Sequence, residues 1–417
     1  MIRAASLFAL VSLAAGAATK DSCTDCHSAL PAGLGAPAAA FAKDIHSRRG
    51  LYCTDCHGGD RTSDDPETAM SRAHGFRGKI ARTAVPQLCA RCHADENVMR
   101  RYNPRERTDQ YAQYQTSVHG KRIAAGDAAA ATCIDCHSVH DIREVKDPLS
   151  PVHPLRLPGT CAACHADAAR MAKYKIPVNQ LADYRQSVHW EALSKGHDAA
   201  APTCASCHGN HGATPPQVSS VAAVCGTCHA MMEDLYKTSP HAAAFSTMEK
   251  GGCVVCHSNH AVHQPSTAML VGPKAVCSDC HGPDDEGGKA AVEMAALITR
   301  LGNSLDASDE ILARARRSGM EVSEAQLKQH DGREALVKTR VAVHTFRAAA
   351  VRKTAAEGLA IASETRRAGE QALRDRDFRR LGLGIALIAI ALTIVGLRLA
   401  IRSIEGEHPP AVDGSRS

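Results

Sequence analysis

Eighteen cysteines occur in this chain of 417 residues, and every one belongs to the pattern Cys-x-x-Cys-His. The nine copies start at Cys23, Cys53, Cys89, Cys133, Cys161, Cys204, Cys225, Cys253 and Cys277; they are called motifs 1 to 9 below. Two thiols three positions apart can each add to one vinyl group of a single haem. The His after the second Cys then comes up beneath the iron as an axial ligand. The pattern predicts nine covalently bound haem c groups. Their tethers are Cys23, Cys26, Cys53, Cys56, Cys89, Cys92, Cys133, Cys136, Cys161, Cys164, Cys204, Cys207, Cys225, Cys228, Cys253, Cys256, Cys277 and Cys280. The proximal ligands are His27, His57, His93, His137, His165, His208, His229, His257 and His281. Other cysteine chemistry fits less well. Structural zinc pairs two Cys-x-x-Cys units but does not demand a His after each. A thioredoxin-type site needs one motif in a βαβ setting. A disulfide within a Cys-x-x-Cys pair closes too short a loop to stabilise much.

Of 23 His, 14 remain. His330, His344 and His408 follow the last motif; eleven lie among the motifs, enough to give most irons a second imidazole. An internal repeat sorts them. Ser117-Val118-His119 precedes motif 4, and His140 stands three residues after its His137. Ser187-Val188-His189 and His211 flank motif 6 in the same way, and Ser239-Pro240-His241 and His260 flank motif 8. Each unit closes with a further motif. The first unit is degenerate: His46 precedes motif 2, but Asp60 stands where the following His is expected, and His74 could substitute. The expected distal ligands are therefore His46, His74, His119, His140, His189, His211, His241 and His260. His153, His197 and His263 repeat nothing, and a surface role or a propionate contact suits them equally. The sequence leaves open which distal His serves which haem.

The paired motifs, the Ser-x-His leader and the Cys-x-x-Cys-His-x-x-His unit resemble the multihaem c-type cytochromes with doubled motifs. That group includes c3-like and membrane-anchored quinol-oxidising cytochromes of bacterial respiration. The resemblance covers roughly residues 20–285. It implies haems packed in alternating stacked and perpendicular pairs, low-spin two-His iron at low potential, and electron transfer along the row.

Fourteen aromatic residues are poor material for a large protein-only core. From motif 1 to motif 9 there are about 29 residues per haem, too few for an ordinary hydrophobic interior. The macrocycles are expected to be the core, wrapped by loops and short helices, with little β-structure. Clusters such as Pro31-Ala-Gly and Thr214-Pro-Pro agree with this. The composition changes after Pro283. Met294, Leu297, Leu301, Leu305 and Leu312 recur at helical spacing, Gly319 is a plausible stop, and Ser323 with Gln326 reads as a capping box. A second stripe runs Val337, Val341, His344, Ala348, Val351, Ala355, Leu359, Ala362. The expectation is a long helical hairpin whose second arm continues as a stalk, bent at Gly358 and Gly369. His344 on that stripe reads first as a helix-interface His, with ligation of a late haem as the alternative. The hairpin faintly resembles the helical part of multihaem nitrite reductases and hydroxylamine-oxidising enzymes, but the Cys-x-x-Cys-Lys variant of many such reductases is absent.

Residues 1–17 read as a signal peptide: Arg3, the apolar run Leu7 to Leu13, and the small-residue site Ala15-Gly16-Ala17. Leu381 to Leu397 carries no charge, and Leu399-Ala400-Ile401 extend it past Arg398, long enough for one transmembrane helix. The expected organisation is signal peptide 1–17, haem domain 18–285, hairpin and stalk 286–380, transmembrane helix 381–401 and cytoplasmic tail 402–417. Arg374, Arg376, Arg379 and Arg380 precede the span and only Arg398 and Arg402 follow closely, so the charge rule does not support this orientation; the signal sequence decides it. A net charge of +5 without a long basic tract gives nucleic-acid binding little support.

The fold class expected is mainly α with extensive loops: a haem-packed domain, a helical hairpin and one C-terminal membrane helix. The function expected is electron transfer at the outer face of the inner membrane. Electrons would come from a quinol-oxidising or other membrane donor complex and go to a periplasmic or outer-membrane acceptor. The competing expectation is an oxidoreductase that reduces a small nitrogen or sulfur oxyanion at one five-coordinate haem.

Overall fold

The structure is a computed structural model, and it describes residues 20–215 and 218–407. The expected signal peptide and most of the expected tail lie outside the described residues. The described chain is mainly helical, with no strand among the described residues. It forms two compact units. One comprises residues up to Val224 with Ser258–Gln264; the other comprises Cys225–His257 and everything from Pro265 on. The boundary falls inside the segment read from sequence as one haem domain, so motifs 1 to 6 belong to the first unit and motifs 7 to 9 to the second.

The first unit is short helices and turns. Its apolar cluster is small: Tyr184, Leu193 and Ala201, with Leu181, Trp190 and Ala192 against it. Side chains alone do not fill such a segment.

The second unit carries three long helices. The first spans Glu286–Arg317, capped by the Asp285 carboxylate, which accepts from Gly288 N at 2.8 Å. It ends in a left-handed Gly319 (φ 79°), with Gly319 N donating to Arg316 O and Met320 N to Ala315 O. That double bond is a Schellman stop and matches the expected end. The second helix, Ser323–Ala342, does not use the expected capping box. Ser323 lies inside the helix and donates its N–H to Glu321 Oε1 at 2.8 Å, so a carboxylate two residues earlier caps the end. The third helix runs Ala348–Glu407 as one element. The long second arm is thus two helices, divided by a turn at Val343–Thr345 and a left-handed Phe346 (φ 52°).

Met294, Ile298, Leu301 and Leu305 of the first helix pack on Leu336 and Ala342 of the second and Val351 and Ala362 of the third. Val337, expected on the buried stripe, is exposed, because the turn resets the helical phase. Gly358 is a close approach between the helices: a Cβ there would sit 2.8 Å from Leu301 Cδ1. It is a packing glycine within a continuous helix, not the expected bend. A buried polar relay joins all three helices. Gln329 Nε2 donates to Leu305 O at 2.8 Å, Thr365 Oγ1 to Gln329 Oε1 at 2.7 Å, and the Ser308 hydroxyl meets Thr365 Oγ1 at 2.7 Å. Such a network is stabilising only if every member is satisfied, and here each is. Beyond Leu373 the third helix buries almost nothing, and its aliphatic residues from Leu381 to Ile404 are exposed. It is long and apolar enough to cross a membrane.

Candidate haem sites

The repeat read from sequence has a local structural cause in each part. In the leader, Ser117 and Ser187 are helix N-caps: Ser117 Oγ accepts from Gly120 N and Ser187 Oγ from Trp190 N, each at 3.0 Å. The leader His is then the second helical residue, held at a helix start. Asp44 does the same job for His46. Three residues before each leader Ser stands a Tyr that sequence reasoning missed. Tyr114 Oη donates to Ala131 O at 2.7 Å and Tyr184 Oη to Pro202 O at 2.6 Å, tying the leader to the chain just before motifs 4 and 6. The repeat Tyr114, Tyr184, Tyr236 was visible in the sequence.

Motifs 2, 4, 6 and 8 are single helical turns, Cys53–His57, Cys133–His137, Cys204–His208 and Cys253–His257. Tyr52, Thr132 and Thr203 start three of them in capping boxes closed by Asp55, Asp135 and Ser206. The next residue has positive φ in all four: Gly58 72°, Ser138 70°, Gly209 76°, Ser258 65°. For Ser138, with ψ −175°, this is a conformation normally left to glycine. The turn swings the chain away, so the His three residues on does not return to its own motif.

Instead, the imidazoles meet across motifs. Proximal His57 faces His140, with ring centres 6.1 Å apart; His137 faces His211 at 6.1 Å; His208 faces His260 at 5.9 Å. The third-on His therefore faces the motif two places earlier. Three leader His face the closing motif of their own unit: His46 faces His93 at 5.9 Å, His119 faces His165 at 6.1 Å, and His241 faces His281 at 5.9 Å. A seventh pair, His257 with His344 at 6.0 Å, brings in the His expected to be a helix-interface residue. Two imidazoles each bound through one nitrogen at about 2.0–2.1 Å from a shared metal have ring centres roughly 6 Å apart. The spacing of all seven pairs fits one iron between each.

The pairs fall into two classes. Those on motifs 2, 4, 6 and 8 have nearly parallel rings, at 21°, 4°, 21° and 18°. Those on motifs 3, 5 and 9 are crossed, at 88°, 59° and 67°.

Hydrogen bonds prepare the rings. Nδ1 of His27, His57 and His344 lies 3.2, 3.0 and 3.0 Å from the carbonyls of Leu34, Gly78 and Val341, and His46 Nδ1 lies 2.8 Å from Asp44 Oδ1. A donor bond at Nδ1 fixes the tautomer that leaves Nε2 bare for a metal. Burial keeps the rings neutral, as ligands must be: it is the main cause lowering His93, His119, His165, His208, His211 and His257, and it takes His137 down to about 4. Asp44 stays ionised. Burial alone would raise it, but bonds from the His46 ring, His46 N and Ile142 N hold it below the usual carboxylate range.

The thiols give the order of the motifs. Cys89 interacts with Cys133, Cys161 with Cys204, and Cys225 with Cys253, and Cys23 lies within electrostatic reach of Cys53. Cys56 is within the same reach of Cys92, Cys136 of Cys164, and Cys256 of Cys277 and Cys280. Within each unit, thiols of successive motifs are neighbours. No thiols are bonded to each other among the described residues, and no group of three or more His, Cys, Asp or Glu gathers there as a closed zinc site requires.

Other His lie outside these pairs. His74 Nδ1 lies 3.2 Å from Thr68 O, and no imidazole is in ring contact with it among the described residues. His153 Nδ1 accepts from Leu155 N at 3.3 Å, which puts its proton on Nε2. Among the described residues no imidazole is in ring contact with His27 of motif 1 either; its one side-chain bond is to Leu34 O.

Two family models match parts of the chain: Cytochrome c7 and related cytochrome c over residues 11–94, and Cytochrome c3 over residues 196–282. No curated protein and no solved structure matches it. The two matches indicate a multihaem c-type cytochrome with covalently bound haem c.

Proposed function

We propose that the chain is a membrane-anchored, periplasmic electron carrier with nine haem c groups. Electrons would pass from an inner-membrane, quinol-linked donor to a periplasmic or outer-membrane acceptor. The observation that carries this is the set of seven imidazole pairs at 5.9–6.1 Å. Iron held by two imidazoles has no open position, so it exchanges electrons and little else. Haem supplies the one-electron couple; the chain's residues set its potential and its neighbours. The thioether cysteines would hold each macrocycle, and the seven His pairs would hold the irons at motifs 2, 3, 4, 5, 6, 8 and 9. Motifs 1 to 6 lie in one unit and motifs 7 to 9 in the other. The exposed aliphatic end of the third helix supports the anchor. The c3- and c7-type segments support electron transfer.

Intact mass of the purified chain tests the count: nine haem additions and no free thiol are expected, and fewer additions would sink the reading. Reductive titration should then proceed over a broad span of potentials with the irons staying low-spin.

A second reading is favoured by one observation: among the described residues no imidazole is in ring contact with His27. A five-coordinate haem at motif 1 would admit a small nitrogen or sulfur oxyanion, and the protein would then be a reductase. A high-spin ferric signal amounting to one haem in nine, lost when Cys23 and Cys26 are replaced by Ala, would favour it.

A further inference from the structure

The pairing on motifs 2, 4 and 6 follows one register: each proximal His faces the third-on His of the motif two places later. At the front, the register explains Asp60. The third-on residue after motif 2 has no earlier even motif to serve, and it is the one such position without a His. At the back, motif 8 has no later unit to complete it. Yet His257 faces His344 with the same spacing, 6.0 Å, and the same near-parallel rings, 18°, as the other even motifs.

We propose that His344 is the sixth ligand of the iron at motif 8, supplied by the helical bundle in place of the next repeat. The inference rests on the haem reading above. The turn that carries His344 is built to hold it. Val343–Thr345 is a single 3-10 turn, Nδ1 of His344 lies 3.0 Å from Val341 O, and Thr345 Oγ1 donates to Ala342 O at 2.8 Å. Phe346 closes the turn in the left-handed region (φ 52°), with its N–H on Val343 O at 2.8 Å. Ala342, Val343 and Ala348, on either side, belong to the bundle's apolar core, so the turn cannot move without it. The ring of Phe346 lies 3.9 Å from that of His241, the partner of His281 at motif 9. One turn of the bundle thus supports the distal side of two successive motifs. The third helix begins two residues later and runs on into the apolar segment. Ligation at motif 8 and docking of the anchored bundle are therefore one event.

The test is H344A in the full-length protein in detergent, with H330A, an exposed His of the second helix, as control. Resting-state paramagnetic resonance and magnetic circular dichroism should show one haem in nine turned high-spin in H344A, restored to low spin by added imidazole, and none in H330A. His344→Met should keep that haem low-spin with the charge-transfer band of thioether ligation. An unchanged low-spin count in H344A, or a low-spin His344→Met without a thioether band, overturns the assignment. If H344A does not accumulate, His344→Met decides alone. Haem count by intact mass separates the two failures. Nine haems with unaltered spin defeats only His344; fewer than nine in the unmodified chain defeats the haem reading itself.

Discussion

Asp44 offers the sharpest test of how the chain sets a potential. It is 1% exposed and accepts three hydrogen bonds: from His46 N at 2.8 Å, from the His46 ring Nδ1 at 2.8 Å and from Ile142 N at 2.7 Å. His46 faces His93, so the carboxylate stands directly behind the distal ligand of motif 3. A carboxylate there makes the imidazole a stronger donor and adds a negative charge about 7 Å from the iron, both of which favour the ferric state. At an effective dielectric near 20, the charge term is about 2 kcal/mol. Exchanging a charge-assisted hydrogen bond for a neutral one gives a smaller figure, roughly 1 kcal/mol. For one electron, 59 mV corresponds to a tenfold change, so the two figures bracket a rise of about 45–100 mV in Asp44→Asn. The assay is a potentiometric titration followed by paramagnetic resonance, using the signal of the crossed pair at 88° as reporter. The amide's own N–H group would face one of the backbone donors, at a cost of about 1–3 kcal/mol in stability. The variant must therefore first be shown to keep its nine haems and its helical content. A folded Asp44→Asn whose crossed-plane haems all titrate within about 20 mV of the parent, or below it, would refute the reasoning.

Two further outcomes follow from geometry already described. Parallel axial imidazoles act on the same iron d orbital and split the pair, whereas crossed ones act on both and leave it nearly degenerate; the oxidised protein should show rhombic signals from motifs 2, 4, 6 and 8 and strongly anisotropic ones from motifs 3, 5 and 9. A spectrum of one class alone would contradict the ring angles, which separate cleanly at 4–21° and 59–88°. Among the described residues, truncation after residue 380 removes exposed, largely aliphatic helix, since the bundle's buried face ends at Ala372 and Leu373. The shortened chain should keep its haems and leave the membrane without detergent; fractionation that still finds it in membranes would remove the anchor.

What was legible in the sequence is what short-range chemistry fixes. A Cys-x-x-Cys-His turn must carry its thiols and its His at one spacing whatever surrounds it. Ser117 and Ser187 sit two residues before their His because each caps the helix whose second residue is that His. Neither needs knowledge of the fold. The stop at Gly319 was legible for the same reason, since a left-handed residue after a helix has few alternatives to glycine. The partner of each His was not legible. His140 is close in sequence to His137 yet faces His57, because the positive-φ residue Ser138 turns the chain between them. Pairing of that kind is decided by packing between distant segments, and no local pattern reports it.

His344 shows how a correct local pattern can conceal a role. Val341, His344, Ala348 and Val351 are spaced three and four apart, as on one continuous helix face. The count is right, but it runs across a turn that is not α-helical, and the His at its centre leaves the stripe to meet His257. Nothing in composition separates a helix-interface His from a ligand there; Phe346 at φ 52° is what distinguishes them, and a bulky residue in that region was not anticipated. Asp60 makes the complementary point. Read as a damaged copy of the repeat, it suggested that His74 should replace it. Read through the register, it stands where no motif lies two places earlier. A repeat whose units complete one another leaves an open place at each end. In this chain Asp60 stands at the first of these places, and the helical bundle brings His344 to the last.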